Sequence, residues 1–144
     1  MRNAVPVADG KGGSVRINVA SVVDGGVLTG RFGERRGSMG GGGGRHRGID
    51  ISAPTGAPVR AAASGQIVEA GRHGAYGRLV RIRHAPNLET AYAHLSRFAG
   101  HVRPGRWVNQ GEVIGHVGTS GRTTGPHLHF ELIRFGRAVD PLAP

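Results

Sequence analysis

No stretch of this sequence repeats its apolar residues at the 3.6-residue period of a buried helix face. Val, Ile and Leu come instead in short runs broken by Gly, Pro and Asn, and 27 of the 144 residues are glycine. Glycine weakens any helix that contains it and suits the tight turns between strands. The pattern predicts an all-β fold: antiparallel sheets of short strands with very little helix. The length fits one domain with a real core.

Residues 1–13, with Pro6, Gly10, Gly12 and Gly13, read as a flexible lead-in, and 14–144 as a single domain. Ser14 to Val19 alternates, with Val15, Ile17 and Val19 on one face. After the Asp24-Gly25-Gly26 turn, an extended piece begins at Val27. Further strands are predicted at 46–52, 58–61, 65–70, 78–84, 89–95, 107–108, 112–117 and 127–134. Gly40 to Gly44 have no side chains to pack and predict a mobile loop ahead of His46. A weak echo links the segments starting at Val59 and Val108 in the manner of the hairpins of biotinyl and lipoyl carriers. Those carriers need a modified lysine at a hairpin tip, and the only lysine is Lys11, so the carrier function is excluded.

Chemistry concentrates where the alternation is cleanest. Gly125-Pro126 leads into His127-Leu128-His129-Phe130-Glu131-Leu132. Residues two apart on a strand point the same way, so His127 and His129 share a face while Leu128 and Phe130 take the other. In His46-Arg47-Gly48-Ile49-Asp50-Ile51 the same rule puts His46 and Asp50 together, with Ile49 and Ile51 behind them. His46, Asp50 and His129 make two imidazoles and a carboxylate, a set that suits Zn²⁺ and leaves a fourth tetrahedral position open. In Thr90-Ala91-Tyr92-Ala93-His94-Leu95, a shared face is predicted for Thr90, Tyr92 and His94. His94 and His127 are the groups available to take a proton and stabilise an oxyanion. Hydrogen bonding to backbone at a strand end is the alternative for His94.

Taken singly, each motif is common by chance. Together, His46-x-x-x-Asp50, Tyr92-Ala-His94-Leu and His127-Leu-His129 resemble the signature of the lysostaphin/LytM-type zinc metallopeptidases, which cut peptidoglycan in bacterial cell walls. Phe32-Gly33-x-Arg35, Gly56-Ala-Pro58-Val-x-Ala61, Tyr76-Gly, Ile114-Gly, Gly118-x-x-Gly121 and Val139-Asp140-Pro141 follow in the family's order. The resemblance runs from about residue 22 to the end. It implies an open-groove, duplicated-hybrid-motif type of β fold. It also implies one Zn²⁺ per chain on His46, Asp50 and His129, and catalytic roles for His94 and His127. Arg35 and Tyr92 are candidates to contact substrate. Where many relatives carry a proline-containing segment before the zinc histidine, this chain has Ser38-Met39 and polyglycine.

The formal charge of +10 comes from 18 Arg and one Lys against nine acids and favours a polyanionic partner. With seven aromatic residues and no basic–aromatic module, nucleic acid is not expected. The expected partner is peptidoglycan peptide and the expected reaction endopeptidase hydrolysis. The alternative is a non-catalytic relative that binds the wall or regulates other hydrolases. There is no cysteine and no apolar run near the roughly 20 residues that span a bilayer. No export signal is legible at residues 1–6, so an extracytoplasmic location implies a signal absent from this chain. A monomer is expected.

Overall fold

The computed structural model describes residues 4–34 and 45–144. The polyglycine run and Arg35 lie outside them. The strands are β1 (Val5–Ala8), β2 (Ser14–Ile17), β3 (Val27–Gly30), β4 (Ile49–Ser52), β5 (Pro58–Arg60) and β6 (Gly65–Arg72). After them come β7 (Arg78–Ala85), β8 (Leu88–Phe98), β9 (Trp107–Val108), β10 (Val113–Val117), β11 (His127–Arg134) and β12 (Arg137–Val139). Two three-residue 3₁₀ turns, Val19–Ser21 and Gly74–Tyr76, are the helical elements among the described residues. The all-β expectation holds.

The main sheet runs β3-β4-β11-β8-β7-β6-β9, with every pair antiparallel. Strand β10 pairs with both β5 and β8. The two echoing segments of the sequence pair with each other crosswise: β5 lies on β10 and β6 on β9. One face of the sheet carries Ile49, Ile51, Leu128, Phe130, Leu132, Tyr92, Val80, Ile82 and Ile67 into a single core. The other carries Asp50, His129, Glu131 and a small apolar cluster of Leu79, Ala91 and Ala93, with Tyr76 and Ile133 packed on it.

Within the expected lead-in, Val5–Ala8 forms a strand: β1 pairs with β2 from Val5↔Ile17 to Ala8↔Ser14, and Val7 enters the main core. Pro6 is tolerated there because a strand paired on one side leaves half its N–H groups outside the ladder. Strand β12 is an element the sequence did not announce. It returns from β11 through Phe135 and Gly136, both at positive φ (49° and 75°), as a two-residue hairpin with phenylalanine where Asn or Asp usually stands.

A polar chain crosses the core side of the sheet. His84 Nδ1–H donates to the Ser64 carbonyl (2.8 Å), and His84 Nε2 accepts from Thr90 (2.7 Å). Thr90 meets the Tyr92 hydroxyl at 2.7 Å, which accepts the Ala62 N–H at 2.9 Å. Burial pushes the His84 imidazole below its ordinary 6.5, only partly offset by the Ser64 carbonyl. Below that value the unfolded chain therefore binds a proton that the folded one refuses. The stability contribution is complete above about 6.5 and is lost as pH falls through the folded value. The thermal midpoint of wild type should drop more steeply than that of His84→Gln below about pH 6.5 and run parallel to it above, as measured by calorimetry across that window.

Candidate metal and catalytic centre

Three buried side chains meet at one end of the site face. Register brings two of them together, since His129 on β11 lies opposite Asp50 on β4. The third arrives by a route the strand argument did not foresee. Strand β4 starts at Ile49, so His46 is not on it. Instead the His46 backbone bonds across to Glu34 and Gly33 (2.8 Å each), which swings its ring over the end of β3. Gly30 makes room: a Cβ there would lie 2.6 Å from Asp50 Oδ2 and 3.1 Å from His46 Cε1.

The hydrogen bonds fix which nitrogens look inward. His46 Nδ1 donates to the Arg31 carbonyl (2.9 Å), and His129 Nε2 donates to Glu131 Oε2 (2.8 Å). The inward atoms are then His46 Nε2, His129 Nδ1 and Asp50 Oδ1. Their separations are 3.2 Å (His46–Asp50), 3.2 Å (His46–His129) and 3.0 Å (His129–Asp50). Three lone pairs so close need a cation between them. A proton on His129 Nδ1 satisfies one edge only, whereas a divalent ion satisfies all three. Ligands about 2.0–2.1 Å from a tetrahedral ion stand about 3.3 Å apart, within a few tenths of an ångström of these edges. The three residues fit a metal ion.

Electrostatics agree with an ionised donor set. Burial works against the charge on Asp50, but the hydrogen bonds and charges of His129 and His46 outweigh it and hold the carboxyl well below its usual range. Burial likewise opposes ionisation of Glu131, and His129, Tyr76 and Arg47 together keep it lowered. Glu131 is a residue the sequence reading missed. It is 3% exposed and accepts from both His129 and the Tyr76 hydroxyl (2.7 Å). Burial, then Glu131, pushes Tyr76 up to about 12, so its hydroxyl stays a donor. The Tyr76 ring stacks on His129 with centroids 5.8 Å apart. The signal was available, because Glu131 continues the two-residue alternation of His127 and His129.

Two more imidazoles face the same point. His127 Nδ1–H is held by the Gly125 carbonyl (2.9 Å) and the Thr123 hydroxyl (3.1 Å), leaving Nε2 3.5 Å from Asp50 Oδ1. His94 Nδ1–H donates to the Ser120 carbonyl (2.8 Å), and its ring lies 5.1 Å from that of His127 and 6.0 Å from that of His129. Burial, helped by His127 and His129, takes His94 down to about 4, so near neutrality both of its ring nitrogens are fixed in role: one donor, one lone pair.

His94 does not share a face with Tyr92, as the alternation predicted. It has φ of 64° at the point where β8 leaves β11 (Ala93↔His129) and joins β10 (Leu95↔Val117). A non-glycine residue in that region costs about 1–3 kcal/mol and turns its side chain out of sequence. Tyr92 therefore goes to the core, fully buried, with its ring against Phe130 and its hydroxyl spent on Thr90 and Ala62. That placement takes it away from any substrate contact. The tyrosine on the site face is Tyr76.

Replacing Glu131 by Gln should weaken metal affinity about 10- to 100-fold, as loss of a histidine's outer partner does. Tyr76→Phe should have a smaller effect of the same sign. Gly30→Ala should lose the metal outright while the sheet persists. Chelator competition with Zn²⁺, alongside circular dichroism, reads all three.

The model of Peptidase family M23 matches residues 44–141. A DD-carboxypeptidase/endopeptidase, Mpg, of Neisseria meningitidis is 54% identical over 101 residues, covering 68% of this chain and 22% of its own. The peptidoglycan DD-endopeptidase ShyA of Vibrio cholerae is 41% identical over 97 residues, with 67% and 22% covered. Among solved structures, a zinc-containing peptidase from Vibrio cholerae superposes with a TM-score of 0.81 at 32% identity, over 98% of this chain and 46% of that one. The catalytic domain of lysostaphin from Staphylococcus simulans gives 0.72 at 32% identity, over 83% and 91%. The chain thus spans about a fifth of the length of these curated relatives and most of the lysostaphin catalytic domain. By sequence and by fold, it belongs to peptidase family M23.

Proposed function

We propose that this domain is a zinc-dependent endopeptidase that hydrolyses cross-link or bridge peptides of bacterial peptidoglycan. The observation that carries the reading is the convergence of five side chains. His46, Asp50 and His129 aim lone pairs at one point, and His94 and His127 each hold Nδ1–H on a carbonyl with Nε2 left over. His46, Asp50 and His129 would hold the ion, and His129 would be steadied from behind by Glu131. Bound zinc supplies a Lewis acid for the scissile carbonyl and for water.

The rest is the work of the chain. A histidine whose Nδ1–H is held on a carbonyl presents its Nε2 to accept a proton from the attacking water and return one to the leaving amine, and both His94 and His127 are held in that way. The backbone bonds on their Nδ1 atoms prevent the rings from flipping. Tyr76, stacked on His129, closes one side of the centre. The names of the curated relatives favour D,D-bonds in the cell wall as the substrate. That substrate implies action outside the cytoplasm. Among the described residues no helix is long and apolar enough to cross a membrane. A monomer suffices, since all five residues come from one chain.

Replacing His46, Asp50 or His129 with Ala should abolish zinc retention. His94→Ala and His127→Ala should keep the metal and lower turnover about 10²- to 10⁴-fold. Mass spectrometry of fragments released from purified peptidoglycan, beside metal analysis of each variant, tests both. Release of new peptide ends by wild type and not by His127→Ala establishes the activity. Wild-type protein that holds zinc and releases nothing from cross-linked wall would make the domain a non-catalytic binder.

A further inference from the structure

Beside the metal centre, a cavity of about 390 Å³ is lined by Phe32, Gly33, Arg45, His46, Arg47 and Arg137, with Gly136 and Ala138 at the β11–β12 turn. His46 belongs to both places, so the cavity opens within one imidazole of the metal-binding point. Its three guanidiniums come from separate parts of the chain. Arg45 and Arg47 flank His46 in sequence, and Arg137 is the first residue of β12.

Among the described residues none of the three forms an ion pair; the arginines that do are Arg60, Arg81 and Arg83. Arg45 gives one N–H to the Gly33 carbonyl (3.0 Å). Arg47 acts through space on Glu131 and Tyr76, lowering both. Of the acids near them in sequence, Asp50 faces His46 and His129, Asp140 accepts the Leu142 N–H, and Glu34, beside Gly33, accepts the Arg31 N–H. Three guanidiniums are therefore gathered around one concavity, none of them ion-paired among the described residues, and only Arg47 feels a carboxylate, that of buried Glu131. An arrangement that repels itself when empty is suited to an anionic ligand, and the planar guanidinium fork matches a carboxylate best. The Phe32 ring and the Gly136–Ala138 backbone add an apolar wall for a hydrocarbon stem.

We propose that this cavity is a specificity subsite that reads a free carboxylate on the residue bearing the leaving nitrogen, an inference that rests on the peptidase reading above. In a direct cross-link between D-alanine and meso-diaminopimelate, the carbon that carries the leaving nitrogen also carries a carboxylate. That carboxylate must lie beside the metal when the amide does. Glycyl bridges have no charge at this place, and an amidated diaminopimelate has lost it. The cavity therefore selects unamidated direct cross-links over both. Arg137 and Arg47 bind the carboxylate, and Arg45, already tied to Gly33, contributes charge.

The test is a pair of synthetic cross-linked peptides that differ only in this group, free acid against primary amide, offered to the zinc-loaded protein. Wild type should prefer the acid about 10- to 100-fold in kcat/KM, as loss of a charge-assisted contact predicts. The preference should collapse toward unity in Arg137→Gln and in Arg47→Gln. It should persist in Arg103→Gln, which removes the same charge from the loop before β9. All three side chains are exposed, so folding is not at stake. Equal cleavage of the two peptides by wild type overturns the subsite and leaves the peptidase intact. If neither peptide is cleaved, calorimetric binding decides. Tighter binding of the acid, lost in Arg137→Gln, keeps the subsite and removes the peptidase reading, whereas equal binding removes both.

Discussion

Everything at the centre depends on the register of β11 between β4 and β8. His129 stands opposite Asp50 on one side and Ala93 on the other. Because strand side chains alternate, a slip of one residue would send both histidines and Glu131 into the core and bring Leu128, Phe130 and Leu132 out to solvent. Three large apolar side chains at 0% exposure make that slip prohibitive. The core thus specifies the metal geometry without touching it.

The same alternation explains what could be read from the sequence. His127 and His129 on one face, with Leu128 and Phe130 on the other, is a pattern of two, and β11 obeys it from end to end. The residue that completes the outer support, Glu131, obeys it too and needed only one more step along the strand. His46 and Asp50 are a different matter. They were paired by counting along a single strand, yet His46 precedes β4 and reaches Asp50 through backbone bonds to Glu34 and Gly33. The right residues came together for a reason that local periodicity does not contain.

Periodicity failed where the backbone leaves the β region. His94, at positive φ, occupies the step where β8 exchanges β11 for β10, and Tyr92, two residues earlier, falls on the opposite face. No local signal marks such a step, because it is imposed by two partner strands that are remote in sequence. The loop carrying Ser120 then fixes the result. The Ser120 carbonyl takes His94 Nδ1–H, while its hydroxyl donates to Leu95 (2.6 Å) and accepts from Arg78 (2.9 Å). Gly77 and Gly121 allow this loop to dock on the turn that bears Tyr76: a Cβ on Gly77 would lie 2.3 Å from the Ser120 carbonyl carbon.

The two faces of the sheet divide the work of stability and chemistry. The core face holds nearly all the large aliphatic side chains, so the fold does not need the site face to be covered. Leu79, Ala91 and Ala93 form only a thin apolar patch there, enough to seat Tyr76 and Ile133. Tyr76 in turn keeps its hydroxyl on Glu131 and its ring on His129. Small side chains at Ala91 and Ala93 leave room for Tyr76 to pack on the sheet, and a bulkier residue at either would compete with it for that space. The order of the site therefore follows from where the chain puts its smallest residues and from the one tyrosine resting on them.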